Sequence, residues 1–189
     1  MKHLTMTELE AALAALAPSP KDCGRLELIV RRPAVGEREV LQEGNLDPAV
    51  GLDGDTWNRR ASSRTPDRSP HPDMQLNVMN ARVIDMLAGE RSRWALAGDQ
   101  LFVDLDLSAE NLIPGTRLAV GAALLVVTAQ PHTGCDKFAS RFGVDATKFV
   151  NSPLGRRLNL RGINARVVTS GRIRAGDIVS KLAMPAVVV

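Results

Sequence analysis

Breakers punctuate this chain throughout. Its 189 residues include 15 Gly and 11 Pro, and the apolar runs between them are short. Within those runs apolar side chains tend to recur at every second position, as in Leu26, Leu28 and Val30, or Leu101, Val103 and Leu105. A period of two marks a strand with one face buried, and many short strands at close spacing build a curled sheet or a barrel. Strands are expected over 25–30, 39–42, 74–78, 101–105, 117–120, 123–128, 163–169 and 177–182. Residues 43–55 and 171–176 read as turns, and 59–72, with three Pro and three Ser, as a mobile polar surface loop.

Helical signals are fewer. Thr7 with Glu10 fits a capping box, with Thr5 and Glu8 as an alternative register; Leu9, Leu13 and Leu16 share one face, and Pro18 and Pro20 end the helix. Asn80 caps a second helix with Val83, Ile84 and Leu87 inward and Gly89 at its end. Residues 135–142, 145–151 and 153–160 read as three short helices, with Asp145 and Ser152 as caps. The fold class is mainly β (α+β). Residues 1–20 are a helix and linker, and 21–189 a β-barrel domain with a helical basic insert at about 135–160.

Aromatic residues are 3% of the chain and Tyr is absent, so the core is mostly aliphatic. The same scarcity counts against single-stranded nucleic-acid binding, which uses stacking platforms. Glu8 and Glu10 interrupt what would be the apolar part of a signal peptide, and the least polar stretch, 118–129, is too short to span a membrane. Two Cys far apart in sequence fit a reducing compartment, the cytoplasm.

The net charge of +3 conceals a division. Residues 1–134 carry 14 basic and 18 acidic side chains, whereas 135–176 carry nine basic and two acidic ones. A local excess of this size attracts anions: nucleic acid, phosphate or a charged cofactor.

Cys135 opens that basic segment. It follows Pro131-His132-Thr133-Gly134 and begins a helix, with Lys137 and Arg141 within two turns. A helix N-terminus and nearby cations favour a thiolate, and Gly134 permits close backbone approach to whatever docks on the sulfur. A buried inert Cys is the other reading. His132 is a candidate base or ligand holder. The three His and two Cys lack zinc spacing, and no Gly-rich nucleotide loop is present. Asp53-Gly54-Asp55-Thr56-Trp57 is an acidic turn that either lines a pocket or shapes a hairpin.

Five segments in order resemble the MOSC domain, the module found at the C-terminus of the pyridoxal phosphate-linked molybdenum cofactor sulfurases and in stand-alone bacterial proteins. They are 51–57, Gly98-Asp99-Gln100-Leu101, 114–121, Thr133-Gly134-Cys135, and Arg161-Gly162-Ile163-Asn164-Ala165-Arg166 through Gly176-Asp177. Two positions depart from the pattern: Gln100 where the family has Asn, and Pro-His-Thr-Gly-Cys in place of Pro-Cys.

The resemblance implies a closed mixed β-barrel similar to the pyruvate kinase barrel domain. It implies a catalytic thiol at Cys135 that carries sulfur as a persulfide or ligates molybdenum. It also implies a bound molybdenum cofactor (molybdopterin), a sulfurtransferase or cofactor-dependent activity, and a cysteine desulfurase or molybdenum enzyme as partner. Lys137, Arg141, Arg157, Arg161 and Arg166 are candidate anion contacts; His132, Asp55, Asp99 and Asn164 would shape the site. The alternative is a non-catalytic module that binds an anionic small molecule or a partner protein.

Overall fold

The computed structural model describes residues 3–183. Its strands are β1 (Cys23–Arg31), β2 (Glu39–Leu41), β3 (Glu43–Asp47), β4 (Gly51–Leu52), β5 (Leu76–Asn80), β6 (Leu101–Asp104), β7 (Arg117–Val120), β8 (Ala123–Pro131), β9 (Ile163–Thr169), β10 (Gly171–Arg174) and β11 (Ile178–Lys181). Seven of them close a barrel in the order β1-β11-β7-β8-β9-β5-β6, and β6 returns to β1. The β5–β6 pair is parallel and the other barrel pairs are antiparallel, so the barrel is mixed. Closure leaves no free edge except where β2 extends β1.

Two segments read as turns are strands. β3, β4 and β10 form a small separate sheet. Its residues Leu46, Leu52 and Ile173 join the barrel's own apolar cluster, so this sheet lids one end of the barrel. Gly and Asp at strand positions hid it: the turn signals are real, but they fall between and inside strands of two to five residues.

Among the described residues the barrel's apolar cluster is aliphatic, with Leu26, Ile29, Leu76, Val78, Leu101, Val103, Leu125 and Ala165 among its buried side chains. All four Phe and Trp94 lie in a second core outside it, between the barrel wall and the helices. In β1 a register shift between Leu26 and Leu28 breaks the expected alternation. Leu26 and Ile29 therefore face the barrel, while Val30 joins the outer core and Leu28 packs against it.

The helices are α1 (Met6–Ala15), α2 (Ala81–Ala88), α3 (Asp136–Phe142), α4 (Val144–Asn151) and α5 (Pro153–Arg157). The α1 capping box uses the alternative register, Thr5 with Glu8, and Leu9 is fully buried in the outer core. Asn80 and Gly89 cap α2 as expected: Asn80 accepts from the Val83 amide, and Gly89 is left-handed. Ser152 caps α5, accepting from the Gly155 amide. Asp145 is not a cap. It lies in the first turn of α4 behind Gly143, and its carboxylate accepts from the Met6 amide at 3.2 Å, tying α1 to α4. Among the described residues no helix is long and apolar enough to cross a membrane.

Gly162 joins the end of the helical segment to β9 at φ +100°, where an added Cβ would lie 2.3 Å from the Val78 carbonyl oxygen. Both the left-handed backbone and the clash oppose a side chain. Gly162→Ala is expected to cost about 1–3 kcal/mol in urea unfolding; an unchanged midpoint contradicts this account.

Candidate functional site

Two buried ion pairs form the floor of the site. Arg32, which follows β1, donates from Nε and Nη2 to the two Asp55 carboxylate oxygens at 2.8 and 2.9 Å, and the Arg32 amide also donates to Asp55. Arg32 Nη1 donates to Asn77 Oδ1 and to the Gly98 carbonyl. Burial pushes the Asp55 carboxyl up, but the hydrogen bonds and charge of Arg32 outweigh it, and the group sits below the usual carboxylate range. The second pair is Arg161 with Asp99, joined at 2.8 and 2.9 Å through Nη1. Here burial prevails over Arg161, and the Asp99 carboxyl is raised.

Above these pairs opens a cleft of about 720 Å³. Its lining carries Arg32 and Arg161 at the floor, Arg38, Arg59 and Arg60, and Lys137 and Arg141 on α3; among the described residues no carboxylate lines it. Burial, and after it the charges of Arg141, Arg32 and Arg60, holds the Arg38 guanidinium below its ordinary value. Burial and then Arg32 act on Arg60 in the same direction. Arg38 Nε and Arg161 Nε are buried without a hydrogen-bond partner. Cations crowded until they depress one another, with donors left over, make a site complementary to an anion.

Cys135 lies on the wall of this cleft and is exposed. It is the N-cap of α3, its carbonyl accepting from the Phe138 and Ala139 amides. The preceding residue is clamped: the Gly134 amide donates to Asn151 Oδ1 at 2.9 Å, and Asn151 Nδ2 donates to the Gly134 carbonyl at 3.0 Å. The close approach that Gly134 permits is made by α4, since a Cβ there would meet Val150 and Thr147 at 3.1 and 3.2 Å. The glycine thus holds the cysteine loop against α4 rather than clearing space over the sulfur.

The family model of the MOSC domain matches residues 65–180, more than half of the chain. The chain belongs to the MOSC domain family. No curated protein matches it in sequence. Among solved structures, the YuaD protein from Bacillus subtilis is 18% identical with a TM-score of 0.60, over 86% of this chain and 97% of that one. YiiM from Escherichia coli is 20% identical with a TM-score of 0.55, over 85% of this chain and 71% of that one. YiiM from Geobacillus stearothermophilus is 14% identical with a TM-score of 0.52, over 89% and 77%. At these identities the likeness is one of fold.

Within this MOSC domain the candidate residues separate into four groups. Cys135, Lys137, Arg141 and Arg161 line the cleft. Asp55, Asp99 and Asn164 lie beneath it: each carboxylate holds one of the arginines, and Asn164 Oδ1 accepts from Asn77 Nδ2 at 2.7 Å. Arg157 and Arg166 are exposed and are not among the residues lining the cleft. His132 is turned toward the floor, with Nδ1 3.4 Å from Asp99 Oδ1, and lines a separate small cavity rather than the cleft.

Gln100 is fully buried. It accepts from the Asn77 amide and donates to the Gln75 carbonyl, bracing β5 under the site. Arg32, Arg38, Arg59, Arg60 and Asn77 were not expected here. The sequence offers little to single them out, because they stand in the acidic part of the chain and reach the cleft only through barrel closure. Among the described residues no group of three or more His, Cys, Asp or Glu could cage a metal. Cys135 is the sulfur-bearing side chain among those that line the cleft.

Proposed function

We propose that this MOSC cleft binds an anionic molybdenum cofactor, with Cys135 as the thiol that faces it, as a sulfur carrier or as a molybdenum ligand. One observation carries the reading: an exposed thiol stands on the wall of a cleft that, among the described residues, is lined by seven cationic side chains and no carboxylate. The donor set fits a phosphate-bearing, soft metal–sulfur group. When bound, that group would supply the redox and sulfur chemistry. The chain's residues neutralise and orient. Lys137, Arg38, Arg60 and Arg141 would take up negative charge, while Arg32 and Arg161, fixed by Asp55 and Asp99, keep their places as a rigid floor.

The sulfur donor in this reading is a cysteine desulfurase and the acceptor a molybdenum enzyme, both in the cytoplasm. The outer sulfur of the desulfurase persulfide moves to the Cys135 thiolate. The donor S–S bond breaks, a new one forms on Cys135, and the desulfurase cysteine leaves as a thiolate without an outside oxidant. The alternative, a non-catalytic module for an anionic small molecule or partner protein, is favoured by the position of His132: it does not line the cleft that Cys135 faces.

Purified protein incubated with a cysteine desulfurase and cysteine is expected to gain one sulfur by intact mass. Cys135→Ser should lose the adduct and Cys23→Ser keep it. No adduct on wild type, together with no molybdenum or pterin in protein from cofactor-competent cells, overturns the proposal.

A further inference from the structure

A second cavity of about 280 Å³ adjoins the cleft, and Arg32, Arg60, Ala61 and Asn77 stand in the walls of both. Its own walls differ in kind. They carry the rings of Trp57 and His71 with Pro70 and Met74, and Ser63 and Arg64. The two rings are held in place through their edges: Trp57 Nε1 donates to the His71 carbonyl at 3.3 Å, and His71 Nδ1 accepts from the Asp73 amide at 3.2 Å. The outer wall belongs to the 59–72 loop, which is folded on itself. The Ser62 amide donates to the Arg68 carbonyl, Thr65 Oγ1 donates to the Ser69 carbonyl, and Arg64 Nη1 reaches Gln130 Oε1 at the end of β8. Arg60 stands at the junction, in the walls of both cavities, with Nε committed to Thr56 Oγ1 at 2.9 Å, which fixes the side chain there.

We propose that the two cavities act as one site for a two-part ligand, with a phosphate at Arg60 and a planar heteroaromatic base of the nucleotide kind in the Trp57 chamber. A cationic cleft alone would take any small anion. A chamber of aromatic and apolar walls with a hydrogen-bonding rim adds what a base recognises: ring surface to stack on, a guanidinium at its edge, and hydroxyl partners for exocyclic groups. The assignment deepens the reading above and rests on its anion-binding half, not on molybdenum or sulfur.

The test uses the purified full chain and titrates inorganic phosphate, AMP, GMP and CMP by calorimetry and tryptophan emission. Trp94 is only 4% exposed, so quenching by a ligand reports Trp57. At least one nucleoside monophosphate should bind about tenfold or more tightly than inorganic phosphate and quench the emission. Trp57→Leu and Ser63→Phe, which remove one wall and fill the chamber, should bring nucleotide affinity down to that of phosphate while leaving phosphate affinity unchanged. Equal wild-type affinities for phosphate and every nucleotide overturn the proposal, as does a nucleotide advantage that survives both variants. Nucleotide binding without persulfide, molybdenum or pterin removes the cofactor reading and leaves this one standing; persulfide or molybdenum without nucleotide preference does the reverse.

Discussion

Replacing Arg161 with Met should destabilise the protein by about 3–5 kcal/mol, the cost of stranding one partner of a buried ion pair. Asp99 is fully buried and Arg161 only 5% exposed. Arg161 also donates to the Ala97 carbonyl at 2.9 Å, and its guanidinium lies 4.8 Å from the centre of the Phe138 ring, so the side chain ties the floor to α3. Without it the Asp99 carboxylate keeps only His132 as a neighbour among the pairs it makes. The carboxyl, already raised by burial, would then stay protonated at higher pH. The double replacement Arg161→Met with Asp99→Leu should recover most of the loss, because an apolar pair can substitute for a buried ionic one. Urea unfolding of the three variants reads this out. A single-variant cost below about 1 kcal/mol would show the pair to be solvated. Anion affinity separates the roles: the double variant should regain stability without regaining the cleft's lost charge.

The fold was legible where a segment's chemistry is local. Asn80 and Gly89 bound α2 through their own side chain and backbone freedom, and the alternating runs of β6 to β9 needed only their own residues to be read. It was illegible where a partner far along the chain decides. Strand β10 forms because β3 lies opposite it, more than a hundred residues away, and Asp145 answers the Met6 amide rather than its own helix. The site divides on the same line. Cys135 and the cations of α3 follow from the basic segment itself. Arg32, Arg38, Arg59 and Arg60, however, stand in the first 134 residues, whose net charge is acidic, and so carry no local sign of the cleft. The counted carboxylates of Asp55 and Asp99 are buried beneath the cleft, each tied to an arginine, and so do not line it. Local segment charge is a sound guide only where opposite charges share the same surface.

Below about pH 6.5 the protein should lose stability progressively, and His132 should account for a large part of the loss. Burial, then the positive charges of Arg161 and Arg32, push the His132 imidazole well below its ordinary value of 6.5. In the unfolded chain the same imidazole takes up its proton near pH 6.5. Between that value and the lower folded one, the unfolded state binds the extra proton. Stability therefore is fully present above pH 6.5 and falls with pH, at a slope approaching about 1.4 kcal/mol per unit until the folded group also titrates. On that slope the loss at pH 5 is at most about 2 kcal/mol. Asp99 acts in the opposite sense. Its raised carboxyl binds a proton in the folded state before the unfolded one does, so folding is helped as pH falls toward the ordinary Asp value. Urea unfolding at pH 7.5 and at pH 5, compared between wild type and His132→Gln, isolates the histidine because both proteins retain Asp99. The variant should lose less stability than wild type over this interval, by up to about 2 kcal/mol. Equal losses would mean that the imidazole is reached by water and charged in the folded protein, and that Asp99, 3.4 Å away, stabilises it as an ordinary ion pair.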